Sequence, residues 1–150
     1  MSMNLRRAGK EDCDLIFSWR NHPDVRRHFF EPKEIPYAEH KQWFEDSLKK
    51  PGRTLLLAWQ EDRPVGVIRF DFPEGRSEKA EIDIYVAPGC HGLGIGKQIL
   101  AQGEEWVRQN TGVSTLVAKI KQENLASIAM FESCGFQCSF VEYRKNLRPL

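Results

Sequence analysis

A chain of 150 residues, with 41% hydrophobic and 29% charged residues, has the composition of one soluble globular domain, so residues 1–150 are predicted to form a single folded unit. The net charge of +1 gives no electrostatic basis for binding nucleic acid or an anionic membrane, and neither is expected as a partner. No apolar run approaches membrane-spanning length and the N-terminus lacks an apolar signal region, so we expect a cytoplasmic protein.

The first third of the chain is predicted to contain one strand followed by three helices. In chain order these are a strand over 3–8, a helix over 11–19, a short helix with Pro23 in its first turn, and a helix over 37–49 that a Pro-Gly pair ends. In the last of these helices Trp43, Phe44 and Leu48 are expected to point inward.

Three strands are predicted next, over 54–60, 64–72 and 80–86, as an antiparallel meander. Polar turns over 61–63 and 73–77 connect them. The third strand alternates strictly: Ile82, Ile84 and Val86 fall on one face, and Glu81, Asp83 and Tyr85 on the other.

A glycine-rich turn follows that strand and leads into a helix over 95–109. Gly92, Gly94 and Gly96 occupy alternate positions, and glycine lets the backbone turn sharply and lets a ligand approach closely. The first amides of a helix have no internal partners and lie at the positive end of its dipole. The turn is therefore suited to an anion.

Two familiar phosphate loops are excluded by spacing. A Walker loop needs Ser or Thr after Gly-Lys, whereas Gln98 follows Lys97 here. The dinucleotide fingerprint is G-x-G-x-x-G, whereas this turn reads G-x-G-x-G.

The last third is predicted to hold a strand over 114–120, a helix that Asn124 opens, and a final strand over 137–144. The four cysteines of the chain form no C-x-x-C pair and no zinc-spaced cluster with histidine. We therefore expect free thiols in a reducing compartment and no bound metal.

The turn from His91 to Gly96 is similar to the coenzyme A pyrophosphate loop of the GCN5-related N-acetyltransferases (GNAT), with His91 where Gln or Arg is usual. The segment from Asn124 to Phe136 resembles the second motif of that family, and the order of predicted elements is the family's order. The resemblance covers essentially the whole chain.

The resemblance implies an α+β GNAT fold: a central mixed, mostly antiparallel sheet of six to seven strands, flanked by about four helices and splayed between strands 4 and 5. Only 14 residues follow Phe136. That length leaves three alternatives open for the end of the sheet: a short last strand, a missing one, or one that a partner subunit supplies.

The resemblance also implies acetyl-CoA as cofactor, with an amide of Tyr85 or Val86 polarising the thioester carbonyl. The implied cofactor residues lie on the fourth strand, the glycine turn and the segment after the fifth strand: Ile84, Tyr85, Val86, His91, Gly92, Leu93, Gly94, Ile95, Gly96, Lys97, Asn124 and Phe131.

Two protons must move in such a reaction. Glu81 stands where relatives often carry a catalytic carboxylate and is the expected base, with Asp83 as the second choice. The usual acidic Tyr is Phe131 here, which removes the common general acid. Tyr85 is one substitute and Tyr143 a weaker one; a thiol with a pKa near ~8.5 could also leave without an acid.

For the acceptor, residues 19–26 and 39–44 look like the N-terminal half of amino-sugar N-acetyltransferases that modify a nucleotide-linked 4-amino sugar in pseudaminic-acid-type pathways. Carried over, Arg20, Asn21 and His40 would contact the acceptor, with Arg20 suited to a diphosphate or to ring oxygens and Asn21 to sugar hydroxyls. The ordinary alternatives are a helix-end charge for Arg20 and an exposed helix residue for His40.

Other functions stay open. The missing Tyr and Ser127 in place of Ala resemble RimJ/RimL-type protein N-terminal acetyltransferases, and a non-catalytic acyl-CoA-binding module is a further alternative. A monomer and a homodimer fit the sequence equally well. Whether Arg69 faces the same side as Glu81 depends on a register that the sequence leaves undetermined.

Overall fold

The computed structural model describes residues 2–73 and 78–148. Its strands are β1 (Met3–Arg7), β2 (Arg53–Gln60), β3 (Arg63–Asp71), β4 (Lys79–Val86) and β5 (Thr115–Val117). A 3-10 turn, Lys10–Asp12, precedes the first of the helices, which are α1 (Cys13–Arg20), α2 (Pro23–Arg26), α3 (Tyr37–Lys49), α4 (Ile95–Asn110) and α5 (Leu125–Ser133). Most of the predicted turn over 73–77 lies outside the described residues.

The five strands form one sheet in chain order, β1-β2-β3-β4-β5. The first four strands pair antiparallel, and β5 runs parallel to β4. The predicted α+β class with a mixed, mostly antiparallel sheet is confirmed. Among the described residues no helix has the length and apolar character needed to cross a membrane.

The predicted number of strands is wrong for the part of the chain that the structure describes. Residues 137–146, which include the predicted last strand, adopt no regular structure there, and Tyr143 is 91% exposed. A strand needs a neighbouring strand to satisfy its backbone, and β5, the last strand of the sheet, is only three residues long. The sheet therefore ends at β5.

The core lies between the sheet and its helices on both faces. On one face α4 packs so closely at Gly103 that a Cβ there would clash with Ile68, while Trp106 stacks on Phe70 at 5.7 Å between ring centroids. On the other face Ile16 of α1 is buried in the same apolar cluster. Burial of this kind is the main favourable term in folding.

The inward face of α3 differs from the prediction. Phe44 is buried as expected, but Trp43 is 37% exposed and lies over the guanidinium of Arg53 at 5.7 Å. His40 and Ser47 are buried in its place. At 3.6 residues per turn, positions 40, 44 and 47 span about 60° around the helix, and position 43 lies at the edge of that stripe, where its indole stays partly exposed.

Candidate active site between the splayed strands

Strands β4 and β5 separate shortly after they meet. Their last paired residues are Glu81 and Val117. Beyond that pair a cavity of about 490 Å³ opens, with residues 82–86 on one wall and 118–121 on the other. The splay that the family resemblance implied is therefore present.

Two hydrogen bonds show which way the backbone of β4 points. The amide of Ala87, just beyond β4, donates to the carbonyl of Val65 at 2.8 Å, toward β3. The carbonyl of Glu78, just before β4, accepts from the amide of Thr115 at 3.0 Å, toward β5. Because successive residues of a strand point their backbone groups to opposite edges, odd residues of β4 face β3 and even residues face β5.

The amides of Ile84 and Val86 consequently point into the cleft, where no strand pairs with them. Tyr85 pairs in register with Val67 of β3, so its amide is turned away. Of the two amides predicted to polarise a thioester, the geometry favours Val86. Tyr85 still lines the cavity.

The glycine turn brings the start of α4 to the end of this cleft. Gly94 precedes the helix with φ +75°, a backbone conformation that favours glycine. The first helical bond runs from the amide of Gln98 to the Gly94 carbonyl at 3.2 Å. The amides of Ile95, Gly96 and Lys97 therefore have no helical partner and are available to an anion.

Gly96 has a separate packing role. A Cβ at this position would lie 2.8 Å from Sδ of Met130 and 3.4 Å from Cγ2 of Val86. The absence of a side chain lets the first turn of α4 approach α5 closely. This contact fixes the distance between the turn and the far wall of the cleft.

The far wall carries the second predicted motif. Asn124 caps α5, its Oδ1 accepting a hydrogen bond from the amide of Ser127 at 3.2 Å. Phe131 is buried, with its ring against the edge of Phe136 at 4.9 Å, and one side of it lines the cavity. Of the predicted cofactor residues all but Leu93, which is 65% exposed, line this cavity.

Sequence patterns did not identify one group of residues that borders the cleft. Val25, His28 and Phe29 line the cavity from α2 and the loop after it. The ring of Phe29 meets the ring of Tyr85 edge-on at 5.6 Å. Lys121 holds this loop in place across the cleft, and no local signal could reveal a contact between residues so distant in the chain.

The three predicted acceptor residues take different positions. Asn21 uses both ends of its amide on the backbone of Ile35, at 2.9 and 3.0 Å. His40 is 1% exposed, stacks on Phe44 at 5.9 Å, and does not line the cavity; burial lowers its pKa. Asn21 is thus engaged by the loop backbone and His40 lies away from the cavity, and their predicted contacts with the acceptor stay predictions.

Arg20 does not line the cavity itself but contacts Phe29, which does. Its guanidinium lies over the Phe29 ring at 4.3 Å and donates to the Glu31 carbonyl at 3.4 Å. Burial lowers its pKa, with Tyr85 and Asp83 opposing that effect. In the described part of the chain its buried Nη1 has no hydrogen-bond partner.

The two carboxylates of β4 also differ. Glu81 does not line the cavity and lies 3.6 Å from the ammonium of Lys119. Asp83 and Tyr85 both line it. Burial raises the pKa of the Asp83 carboxyl, an effect that the Arg69 cation opposes. Burial also raises the pKa of the Tyr85 phenol, which therefore stays protonated.

A mixed sheet that splays beside a glycine turn and a free helix N-terminus defines an acetyl-CoA-dependent N-acetyltransferase domain. The chain belongs to the GNAT family: residues 2–137 match the family described as acetyltransferase (GNAT) domain. A non-catalytic module is therefore set aside. Acetyl-CoA is the cofactor, and the unpartnered amides of β4 and α4 fit its chain of amide and phosphate groups.

Known proteins agree with this assignment. The acetyltransferase PseH of Campylobacter jejuni (strain 81-176) is 26% identical over 133 residues, covering 89% of this chain and 82% of the relative. A ribosomal-protein-alanine N-acetyltransferase structure from Brucella melitensis has a TM-score of 0.74 at 28% identity, covering 91% and 86% of the two chains. A spermidine N-acetyltransferase from Vibrio cholerae, solved with CoA and spermine, has the same fold, with a TM-score of 0.80 at 16% identity, covering 89% of this chain and 79% of that one.

Proposed function

We propose that this protein transfers the acetyl group of acetyl-CoA to the primary amine of a nucleotide-linked amino sugar, by direct attack in a ternary complex. The observation that carries the transfer is the line of unpartnered amides from Ile84 and Val86 to the start of α4. The sugar is supported by the resemblance of residues 19–26 and 39–44, and by PseH among the relatives.

Each part of the cleft has a distinct task in this proposal. The amides of Ile95, Gly96 and Lys97 bind the pyrophosphate, and Ile84 pairs with the amide arm of the cofactor as a neighbouring strand would. The Val86 amide donates to the thioester carbonyl oxygen, where negative charge develops as the amine attacks. Asn124 and Phe131 line the other side of the arm.

Tyr85 is the proposed donor of a proton to the departing thiolate. Its ring lines the cleft, and burial raises its pKa, so the phenol stays protonated at neutral pH. The position that usually supplies this acid holds Phe131, which has no proton to give.

Arg20 is the proposed contact for the anionic part of the acceptor. Its Nη1 is buried without a hydrogen-bond partner among the described residues, although a guanidinium normally uses all its donors. A phosphate oxygen would supply that partner.

A thiol-release assay with acetyl-CoA and a panel of amines tests the proposal. The panel contains nucleotide-linked amino sugars, the same sugars without nucleotide, spermidine, free amino acids and peptides that begin with alanine. We expect the highest kcat/KM for a nucleotide-linked amino sugar. Preference for the alanine peptides would overturn the acceptor and support a ribosomal-protein-type N-terminal acetyltransferase, the second candidate, which the Brucella neighbour at 28% identity favours.

A further inference from the structure

Four charged side chains form a row on the face of the sheet that looks toward α1 and α3. In order they are Arg53 on β2, Asp71 and Arg69 on β3, and Asp83 on β4. The strand register places Arg53 opposite Asp71, and Arg69 opposite Asp83. The register also answers the question that the sequence left open, because Arg69 shares this face with the β4 carboxylates.

The first part of the row is tightly fixed. Asp71 accepts hydrogen bonds from Nε of Arg53 at 2.6 Å and from Nε of Arg69 at 3.0 Å, so both its oxygens are used. Arg53 also donates to the hydroxyl of Ser47, buried on α3, at 3.0 Å. Arg69 is therefore held from the side away from the cleft, with its Nη2 pointing toward β4.

Asp83 ends the row and is different from its neighbours. Its Oδ2 lies 3.9 Å from Nη2 of Arg69, which is an ion pair but too long for a hydrogen bond. Within residues 2–73 and 78–148 no donor forms a hydrogen bond with it. The side chain is 43% exposed and lines the cleft. The charge of the Asp83 carboxylate is thus balanced by Arg69, and both of its oxygens are free to accept a hydrogen bond.

We propose that Asp83 is a catalytic residue that takes a proton from the acceptor ammonium, and that Arg69, held by Asp71 and Arg53, is the residue that positions it. The proposal rests on the proposed acetylation of an amine in this cleft, whatever molecule carries that amine. Glu81, the base that the sequence suggested, does not line the cavity and lies beside the ammonium of Lys119.

Protons and electron pairs are conserved in the proposed acetyl transfer. An alkylammonium has a pKa near ~10 and cannot attack. The Asp83 carboxylate takes one proton, and the lone pair that is freed forms a C–N bond to the acetyl carbon while the C–S bond breaks. Tyr85 gives its phenol proton to the thiolate, which leaves as the thiol. The nitrogen loses a second proton as the amide forms, and this proton restores the Tyr85 phenol, while Asp83 passes its own proton to water.

The surroundings of Asp83 suit this task. Although one side of Asp83 faces the open cleft, the surrounding protein partly withdraws the carboxylate from water, which raises its pKa toward that of an amine. The Arg69 cation opposes the rise and favours the charged carboxylate. The other charged or titratable groups that face it are Asp71 and Glu81, which raise its pKa, Arg20, which lowers it, and the Tyr85 phenol.

Asp83→Asn tests the catalytic part, with Asp46→Asn as a matched carboxylate control on the exposed face of α3. The pH dependence of kcat/KM is measured with any amine of the panel that wild type acetylates, and CoA affinity by calorimetry. At neutral pH we expect Asp83→Asn to lose about 10²- to 10³-fold in kcat/KM. We expect the loss in kcat/KM to become smaller at high pH, because the amine there deprotonates without a base. We expect the CoA affinity to stay within about twofold of wild type, which would show that the variant is folded.

Arg69→Met tests the positioning part, with Arg69→Lys as the conservative variant. Without the cation the pKa of Asp83 rises, so the acidic limb of the rate profile should move to higher pH in Arg69→Met and return toward wild type in Arg69→Lys. A wild-type profile in Asp83→Asn, or loss of the acidic limb in Glu81→Gln instead, would overturn the inference. Absence of turnover by wild type with every amine would overturn the proposed function itself, a result that the variants cannot mimic.

Discussion

Lys121 reaches across the cleft, its Nζ donating to the carbonyl of Phe29 at 3.2 Å and to that of Arg27 at 3.3 Å. The residue follows the splayed β5, whereas the two carbonyls belong to the loop after α2. The Lys121 ammonium therefore connects the two sides of the cleft. It also neutralises part of the negative end of the short α2 helix.

Lys121→Met should loosen this loop while keeping most of the apolar side chain. A hydrogen bond to a charged donor contributes about 1.5–3 kcal/mol, so we expect a loss of about 1–2 kcal/mol in the free energy of unfolding. The KM for the acceptor should rise more than kcat falls. Urea unfolding and steady-state kinetics measure the two effects. Lys49→Met, at an exposed lysine of α3 that does not line the cavity, serves as the control, and equal KM values in both variants would count against the connection.

Gly94→Glu should abolish CoA binding, because it puts a carboxylate where the helix start receives a phosphate. A side chain there meets no atom within 4 Å, so the effect is one of charge and of backbone strain at φ +75°. Gly94→Ala carries the same strain, about 1–2 kcal/mol, without the charge. Calorimetry with CoA separates the two: weak binding by the alanine variant and none by the glutamate variant is expected, and unchanged affinity in both would refute the assignment of the turn.

Tyr85→Phe should lower kcat about 10- to 100-fold while leaving CoA affinity unchanged, because it removes the proposed proton donor but keeps the ring against Phe29. The raised pKa of Tyr85 places the loss of this proton well above neutral pH, so the wild-type rate should hold through the neutral range. Tyr37→Phe is the matched control, because its hydroxyl contacts Asp14 at 2.6 Å, on α1. An equal loss in both variants would remove Tyr85 as the acid.

The burial of His40 predicts that the stability of the protein depends on pH. Its burial lowers the pKa below the unfolded value near ~6.5, so the unfolded chain binds more protons as pH falls. The free energy of unfolding should therefore decline below about pH 6.5, by at most ~1.4 kcal/mol per pH unit for this group. Urea unfolding of His40→Leu between pH 7 and 5 should show a smaller slope than wild type, and His91→Asn, at an exposed histidine, serves as the control.

The elements that the sequence predicted well are those bounded by local signals. The predicted bounds of α3 are correct, because proline precedes the helix and a Pro-Gly pair follows it. The alternation along β4 predicted its two faces, and the glycine spacing predicted the start of α4. These patterns act within a few residues and need no knowledge of the fold.

The errors fall where a residue's role depends on distant neighbours. The segment over 137–144 has a strand-like composition, but a strand forms only where another strand can pair with it. Periodicity shows that α3 has an inner face but does not fix how the helix is rotated about its axis. The pattern therefore predicts that Trp43 points inward, and its ordinary reading of His40 is an exposed residue. The position of Glu81 outside the cavity and of Asp83 within it depends on where β5 separates from β4, which no local pattern records; the catalytic roles of both residues stay predictions.

The separation of β5 from β4 has an energetic consequence. Within the described residues three pairs join β5 to β4, so the part of the molecule that carries α5 is held to the sheet by few main-chain bonds. A bound cofactor that bonds to Ile84 on one wall and contacts Asn124 on the other would act as a bridge between the two halves. At a ligand concentration 100 times Kd such binding adds about 2.7 kcal/mol to the stability of the folded chain. Hydrogen exchange should then slow most at the Ile84 and Val86 amides, so the cofactor would complete the sheet in the same event that fills the active site.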